Sequence, residues 1–138
     1  MQIHKLAQTP APAAQTADLK PLFRMHAELC KAMANEHRQA ILHAVCSEEK
    51  CVSDLAAEIG ITVHNVSQHL RVLKERRLVA SRKEGQTVYY RVTNQKFMQA
   101  CVLMRQALIE QHVEQGESLQ AAELYDARLR ATPADTPA

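Results

Sequence analysis

Four cysteines are the side chains of this 138-residue chain best suited to chemistry: Cys30, Cys46, Cys51 and Cys101. A thiolate is both a nucleophile and a soft metal ligand. No apolar stretch approaches the roughly 18 residues that span a bilayer, and the N-terminus lacks the apolar middle of a signal peptide. We therefore expect a cytoplasmic protein without a membrane partner. Its cysteines are expected to be thiols, metal ligands or redox sensors rather than structural disulfides.

Sequence motifs of catalysis are missing. The chain has no glycine-rich phosphate loop and no nucleophile elbow, and its seven histidines are scattered. We therefore expect that it is not an enzyme.

Four helices are predicted in the first half of the chain, because apolar residues recur there at helical spacing. The first helix begins at about Asp18. Asn35 is suited to cap the second helix and Thr62 the fourth, and Gly60 is suited to end the third. On the second helix Ile41, Leu42 and Val45 are predicted to face inward, and on the fourth Val63, Val66, Leu70 and Leu73 are predicted to be buried. The apolar positions of the first helix are Leu22, Met25, Leu29 and Met33, and those of the third are Val52, Leu55, Ala56 and Ile59.

The period changes from 3.6 to 2 after Leu78. The segments "LVASR" and "TVYYRV" read as two strands joined by a turn at Gly85, and a long helix follows from about Asn94 to Glu114. Its apolar positions are Phe97, Cys101, Met104 and Leu108. The predicted fold is mainly α (α+β), a winged helix-turn-helix of order α-α-α-α-β-β-α. Residues 1–17 are predicted as a flexible arm, 18–115 as the winged helix-turn-helix domain, and 116–138 as an extension with a disordered tail.

The fourth helix carries a polar face without acidic residues. Asp and Glu do not occur between Thr62 and Lys74, whereas an ordinary surface helix mixes both signs. Short polar side chains with one cation can reach base edges in a major groove. The face opposite the buried stripe consists of Thr62, His64, Asn65, Ser67, Gln68 and Arg71. These residues are predicted to bind double-stranded DNA.

The hairpin adds positive charge beside that helix. Formal net charge is only +2, but seven basic and two acidic residues occur between Arg71 and Arg91. Arg82 and Lys83 precede the turn and Gln86 follows it, so a projecting wing would present them to the DNA backbone or minor groove. Arg76 and Arg77, at the end of the fourth helix, are predicted to meet phosphates.

The central segment "CVSDLAAEIGITVHNVSQHLRVLKERRLVASRKEGQTVYYRV" resembles the ArsR/SmtB family of bacterial repressors. The upstream "MANEHRQAIL" is similar to that family's entry into the second helix. The resemblance covers about residues 22–112. It implies a homodimer paired through the first and last helices, which represses an operon until an inducer binds. The first and last helices carry larger apolar faces than the core of so small a monomer requires, which agrees with pairing between two chains.

The resemblance also implies a possible metal site at Cys51. Family members bind metals here through Cys-Val-Cys or Cys-Val-Gly-Asp, and this chain has Cys51-Val-Ser-Asp54, which resembles the zinc-type version. A divalent or thiophilic metal ion is therefore a possible cofactor, with Cys51 and Asp54 as ligands. The partner's arm, which would complete the shell, offers only His4. The family's second metal site corresponds to Asn94, Lys96, Ala107 and Glu110, which cannot form it.

Thiol chemistry is the other implied route to an inducer. Some relatives link a cysteine of the second helix to one of the last helix, and Cys46 and Cys101 lie on those helices. Cys30 shares a helix face with His26 and would approach the partner's Cys101 in the family dimer. Cys30 and Cys101 also fall on apolar stripes, so simple packing competes with any sensing role.

Two alternatives stay open. The winged-helix scaffold also serves as a protein-interaction module, and a family member can lack metal or thiol sensing. The polar face from Thr62 to Lys74 favours a DNA-binding repressor over the protein-interaction module.

Overall fold

A computed structural model describes residues 15–115. Its elements follow the predicted order, with one added strand and a 3₁₀ helix at Thr16–Leu19: α1 (Lys20–Met33), α2 (Glu36–Ala44), β1 (Lys50–Cys51), α3 (Val52–Ile59), α4 (Val63–Glu75), β2 (Val79–Glu84), β3 (Thr87–Val92) and α5 (Gln95–Glu114). The predicted extension, 116–138, lies outside the described residues, as does most of the predicted arm. Thr16 and Ala17, predicted as arm, are helical because Gln15 and Asp18 form a reciprocal capping box.

Helix ends lie where local hydrogen-bonding signals predicted them. Asn35 Oδ1 accepts hydrogen bonds from the backbone N–H groups of His37 and Arg38, at 2.9 and 3.2 Å. Thr62 Oγ1 accepts one from the Asn65 N–H at 3.1 Å and so caps α4. Gly60 ends α3 with φ +80°, in the left-handed region that glycine enters without a Cβ clash. The tight turn between α3 and α4 follows from these two caps.

The core of the first unit, which ends at Thr93, is built on α2, α3 and α4. Ile41, Leu42 and Leu55 are fully buried. Val66, Leu70 and Leu73 form the buried stripe of α4, whereas Val52 and Ile59 are only half-buried. The prediction that Val63 is buried is wrong: its side chain is 52% exposed. Val63 occupies the first turn of α4, before the stripe meets the neighbouring helices.

The sheet has three antiparallel strands in the order β1-β3-β2. β2 and β3 form the predicted hairpin, in register from Val79↔Val92 to Glu84↔Thr87, and Gly85 has φ +61° at its tip. The sequence did not predict β1, which contributes only Lys50↔Tyr90 and Cys51↔Tyr89. This two-residue strand ties the start of α3 to the hairpin.

The second unit begins at Asn94, and its described part is the single helix α5. Asn94 caps α5 by accepting a 2.9 Å hydrogen bond from the Lys96 N–H. Met98 and Cys101 are buried, but the rest of the apolar surface is not. Met104 and Leu108, predicted on one stripe with Cys101, are 67% and 53% exposed. On α1, Leu22 and Met25 of the predicted apolar stripe are likewise exposed.

Candidate nucleic-acid interface

The predicted reading residues of α4 share one exposed face. Packing of Val66, Leu70 and Leu73 fixes the rotation of the helix, so the opposite side chains face solvent. His64 and Gln68, one turn apart, share a hydrogen bond of 3.1 Å between Nε2 atoms. Every predicted reading residue from Thr62 to Arg71 is exposed, although the Thr62 hydroxyl also serves as the cap. The face therefore offers donors and acceptors of the kind that recognise base edges.

Two cations of this surface carry no counter-charge. Within residues 15–115, Arg71 and Lys83 form no ion pair or side-chain hydrogen bond, and both are exposed. Arg71 lies on α4 and Lys83 on β2. An unpaired exposed cation binds a phosphate without first losing a carboxylate partner.

Arg82, also predicted to contact DNA, has acidic partners within the protein. Its Nε donates to Glu49 at 2.7 Å and its Nη1 donates to Glu84 at 2.8 Å, while its guanidinium lies 4.8 Å from the Tyr89 ring centroid. The hydrogen bonds that it donates, first to Glu84 and then to Glu49, raise the pKa of this guanidinium. Gln86, just beyond the tip glycine, is exposed.

The two arginines after α4, both predicted to meet phosphates, differ in their protein contacts. Arg76 Nη2 bonds Glu28 of α1 at 3.1 Å. Arg77 ends the helix with φ +58°, and its carbonyl accepts a hydrogen bond from the Thr93 hydroxyl at 2.6 Å. Both side chains are exposed, but Arg76 has a carboxylate partner.

An arginine–histidine cluster links three helices, and the sequence did not predict it. Arg38 of α2 donates to the carbonyls of Lys31 and Ala32, which end α1, and its Nη1 lies 3.4 Å from Nδ1 of His69 on α4. The rings of His37 and His69 are 5.6 Å apart. Burial, followed by the charges of Arg38 and His37, lowers the pKa of His69. One general rule could have pointed to the Arg38 contacts: the last carbonyl groups of a helix such as α1 have no partner within the helix and need hydrogen-bond donors from elsewhere.

Comparison with known proteins identifies the family. The family model described as "Bacterial regulatory protein, arsR family" matches residues 35–81. The structure of reduced HlyU from Vibrio cholerae is 31% identical, with a TM-score of 0.60, and the match covers 65% of this chain and 95% of HlyU. The homodimeric winged helix-turn-helix DNA-binding domain of Mb0332 from Mycobacterium bovis, a possible ArsR-family regulator, is 30% identical with a TM-score of 0.62. That match covers 75% of this chain and 94% of the Mb0332 fragment.

This chain belongs to the arsR family. Among curated relatives of this ArsR-family chain, the HTH-type transcriptional regulator KmtR of Mycobacterium tuberculosis is 32% identical over 93 residues. That alignment covers 67% of this chain and 66% of KmtR. The chain spans about half to two thirds of the length of the first curated relatives it matches. The winged helix-turn-helix fold predicted from the sequence is confirmed.

The four cysteines of this ArsR-family chain form no disulfide within the described residues and lie in different surroundings. Cys51 is half-buried at the N-cap of α3, with its Sγ 3.2 Å from the Ser53 hydroxyl. Cys46 is half-buried after α2, and Cys30 is exposed rather than packed. Cys101 is buried as predicted, and burial raises the pKa of its thiol, partly offset by Arg105. A low thiolate fraction makes Cys101 a poor nucleophile.

The described residues do not complete a metal site. No group of three or more His, Cys, Asp or Glu side chains between residues 15 and 115 is placed to hold an ion. Cys51 and Asp54 therefore lack further ligands there, and His4 lies outside the described residues. None of the helices in this part of the chain is long and apolar enough to cross a membrane.

Proposed function

We propose that this ArsR-family chain is a transcriptional repressor that binds double-stranded operator DNA as a homodimer. The observation that carries the proposal is the exposed, acid-free face of α4, which ends in the unpaired cation Arg71. Lys83 on the adjacent hairpin would contact the backbone. Val63, exposed at the start of the same helix, would add an apolar surface suited to a thymine methyl group. In this proposal the chain acts by binding DNA and catalyses no reaction.

Gln68→Ala and Arg71→Ala are each expected to weaken specific binding by about 1–3 kcal/mol, because each removes a base contact. Since both side chains are exposed, the free energy of unfolding should change by less than about 0.5 kcal/mol. Fluorescence anisotropy measures the affinity for a duplex selected by the wild-type protein from a random library.

Lys31→Ala is the control, since it removes an exposed cation outside α4 and the hairpin. Unchanged affinity in both α4 variants would refute the assignment of the reading helix. A salt titration separates this function from a protein-interaction module, because phosphate contacts make affinity fall steeply as salt rises. Binding that is absent or insensitive to salt would favour the module.

We further propose that the inducer acts through a cysteine, with Cys51 as the sensor. Cys51 is the N-cap of α3, and α3 packs against α4, so a change at this thiol can tilt the reading helix. Paired reading helices must match half-sites about 34–36 Å apart, and a small tilt therefore weakens binding. A coupling of about 1–3 kcal/mol is enough for a 5–150-fold change in affinity. The absence of a full ligand set between residues 15 and 115 favours thiol modification over metal binding within one chain.

Cys51→Ser is expected to bind the selected duplex as wild type does, but to stay bound when treated with sodium tetrasulfide or with zinc, the two probes of thiol and metal sensing. Cys30→Ser is the matched control and should still release. Anisotropy follows the release. The sensor would be a different cysteine if Cys51→Ser dissociated from the duplex on treatment. In that case the variant that stayed bound, Cys30→Ser, Cys46→Ser or Cys101→Ser, would identify it. Release of a variant without any cysteine would refute thiol sensing.

A further inference from the structure

The hairpin cation Arg82 is held by acidic side chains from two segments. Glu84 belongs to the same strand, whereas Glu49 comes from the connection that precedes β1. Glu49 is two residues from Cys51 in sequence but 33 residues from Arg82. Its 2.7 Å contact with the Arg82 Nε is therefore a tertiary contact that the fold creates.

Strand register explains why Arg82 is directed toward Glu49. Cys51, Tyr89 and Arg82 pair across β1, β3 and β2, so their side chains lie in a row on one face of the sheet. The guanidinium lies over the Tyr89 ring and reaches the carboxylate beyond it. Lys83, the next residue of β2, points to the other face. Adjacent cations of the hairpin thus differ: one is paired with carboxylates and the other is not.

A carboxylate and a phosphate bind a guanidinium in the same way, through charge-assisted N–H···O bonds. Glu49 therefore occupies a position at Arg82 that a DNA phosphate oxygen would otherwise take. The pair is partly exposed, with side-chain exposures of 46% for Arg82 and 32% for Glu49. A partly exposed ion pair is weak, but a phosphate can bind the Arg82 Nε only after this pair has been broken.

We propose that Glu49 competes with the DNA backbone for Arg82 and thereby lowers the affinity of the hairpin for any DNA sequence. This inference rests on the proposed DNA-binding function. Glu49 acts through Arg82 and is a positioning residue: it holds the guanidinium over Tyr89 and keeps its Nε from phosphate. Glu84 retains Nη1 in either case, so loss of Glu49 frees one edge of the guanidinium for one phosphate contact.

Glu49→Gln is expected to raise the affinity of the full chain for both selected and random duplexes, by up to about eightfold at about 0.1 M salt. That factor is what one additional phosphate contact gives when log K falls with log salt by about 0.9 per contact. The salt slope should steepen by about the same 0.9. Anisotropy titrations over a series of KCl concentrations measure both quantities, and circular dichroism verifies that the variant is folded.

Glu48→Gln is the matched control. It removes one negative charge from the neighbouring residue, but Glu48 pairs with Lys50 at 3.6 Å and not with Arg82. Lys50 keeps its 2.6 Å contact with Glu58 in this variant. The affinity of Glu48→Gln should stay within about twofold of wild type, because an exposed charge that does not contact Arg82 acts on DNA only at a distance, where salt screens it. In an Arg82→Ala background, Glu49→Gln should give no gain, since the contact it would release no longer exists.

Equal gains in Glu49→Gln and Glu48→Gln would overturn the inference, because net charge would then explain them. A gain that survives in the Arg82→Ala background would overturn it as well. Failure of the wild-type chain to show salt-dependent binding would instead refute the proposed DNA-binding function itself. The two failures are therefore distinguishable in one set of titrations.

Discussion

Leu70→Ala is expected to lower the free energy of unfolding by about 2–5 kcal/mol, the usual range for a buried leucine truncated to alanine. Leu70 is 1% exposed at the centre of the α4 stripe, between Val66 and Leu73, which are both fully buried. Truncation leaves a cavity that the adjoining helices fill only in part. Because a small domain is stable by about 5–15 kcal/mol, this is a large fraction of the total. Urea denaturation followed by circular dichroism measures the change.

Val63→Ala provides the control on the same helix. The Val63 side chain is 52% exposed in the first turn, so its truncation should change stability by no more than about 0.5 kcal/mol. Losses of similar size in the two variants would mean that α4 is rotated from the orientation described above. The reading face would then be misassigned as well, since the same rotation defines both faces of the helix.

Met104→Glu is expected to convert the proposed dimer into a monomer and to lower operator affinity by about 10³-fold or more, toward that of non-specific binding. Met104 is 67% exposed on α5, and a carboxylate placed in an apolar interface must lose its hydration. Exposed apolar side chains on α1 and on the Met104 side of α5 motivate the proposed dimer: Leu22, Phe23, Met25, Met104 and Leu108. Light scattering at micromolar concentration measures the mass, and anisotropy measures the affinity.

Gln106→Glu introduces the same charge on the same helix and is the control. Gln106 is also exposed, but it lies two residues from Met104 and hence on a different side of α5. This variant should remain dimeric. A wild-type chain that is monomeric at micromolar concentration would contradict the proposal. A Met104→Glu protein that stays dimeric would remove α5 from the interface.

Local signals in the sequence predicted the framework well. Asn35, Thr62 and Gly60 act at helix ends through hydrogen bonds or dihedral angles that involve only their nearest neighbours. The change of period after Leu78 likewise marks the hairpin, because alternation is a property of a single strand. Burial of Val66 and Leu70 follows from the same local periodicity.

Features that depend on tertiary contacts were missed. A two-residue strand such as β1 has too few residues to show alternation, and it exists because β3 lies beside it. The sequence identified Arg82 as a basic residue of the hairpin, but its pairing with Glu49 requires the fold. Arg38 was also missed, because its acceptors are carbonyls at the end of another helix.

The apolar stripes on α1 and α5 are exposed, and the spacing of apolar residues alone could not predict this. A regular spacing shows that one side of a helix is apolar, but it does not say whether the same chain or a second copy covers that side. Met25 and Met104 are exposed within one chain, whereas Cys101 on the predicted Met104 stripe is buried. The assignment of these faces to a dimer therefore remains a proposal.

The strand order has a consequence for solubility. β3 is central, so within the described residues β2 is an edge strand of six residues with backbone groups free to pair with another chain. Such edges template aggregation unless charged side chains interrupt them. Arg82, Lys83 and Glu84 occupy the outer half of β2 and supply those charges. Arg82 and Lys83, which are proposed to act at the DNA backbone, thus also protect the free protein from strand-to-strand association.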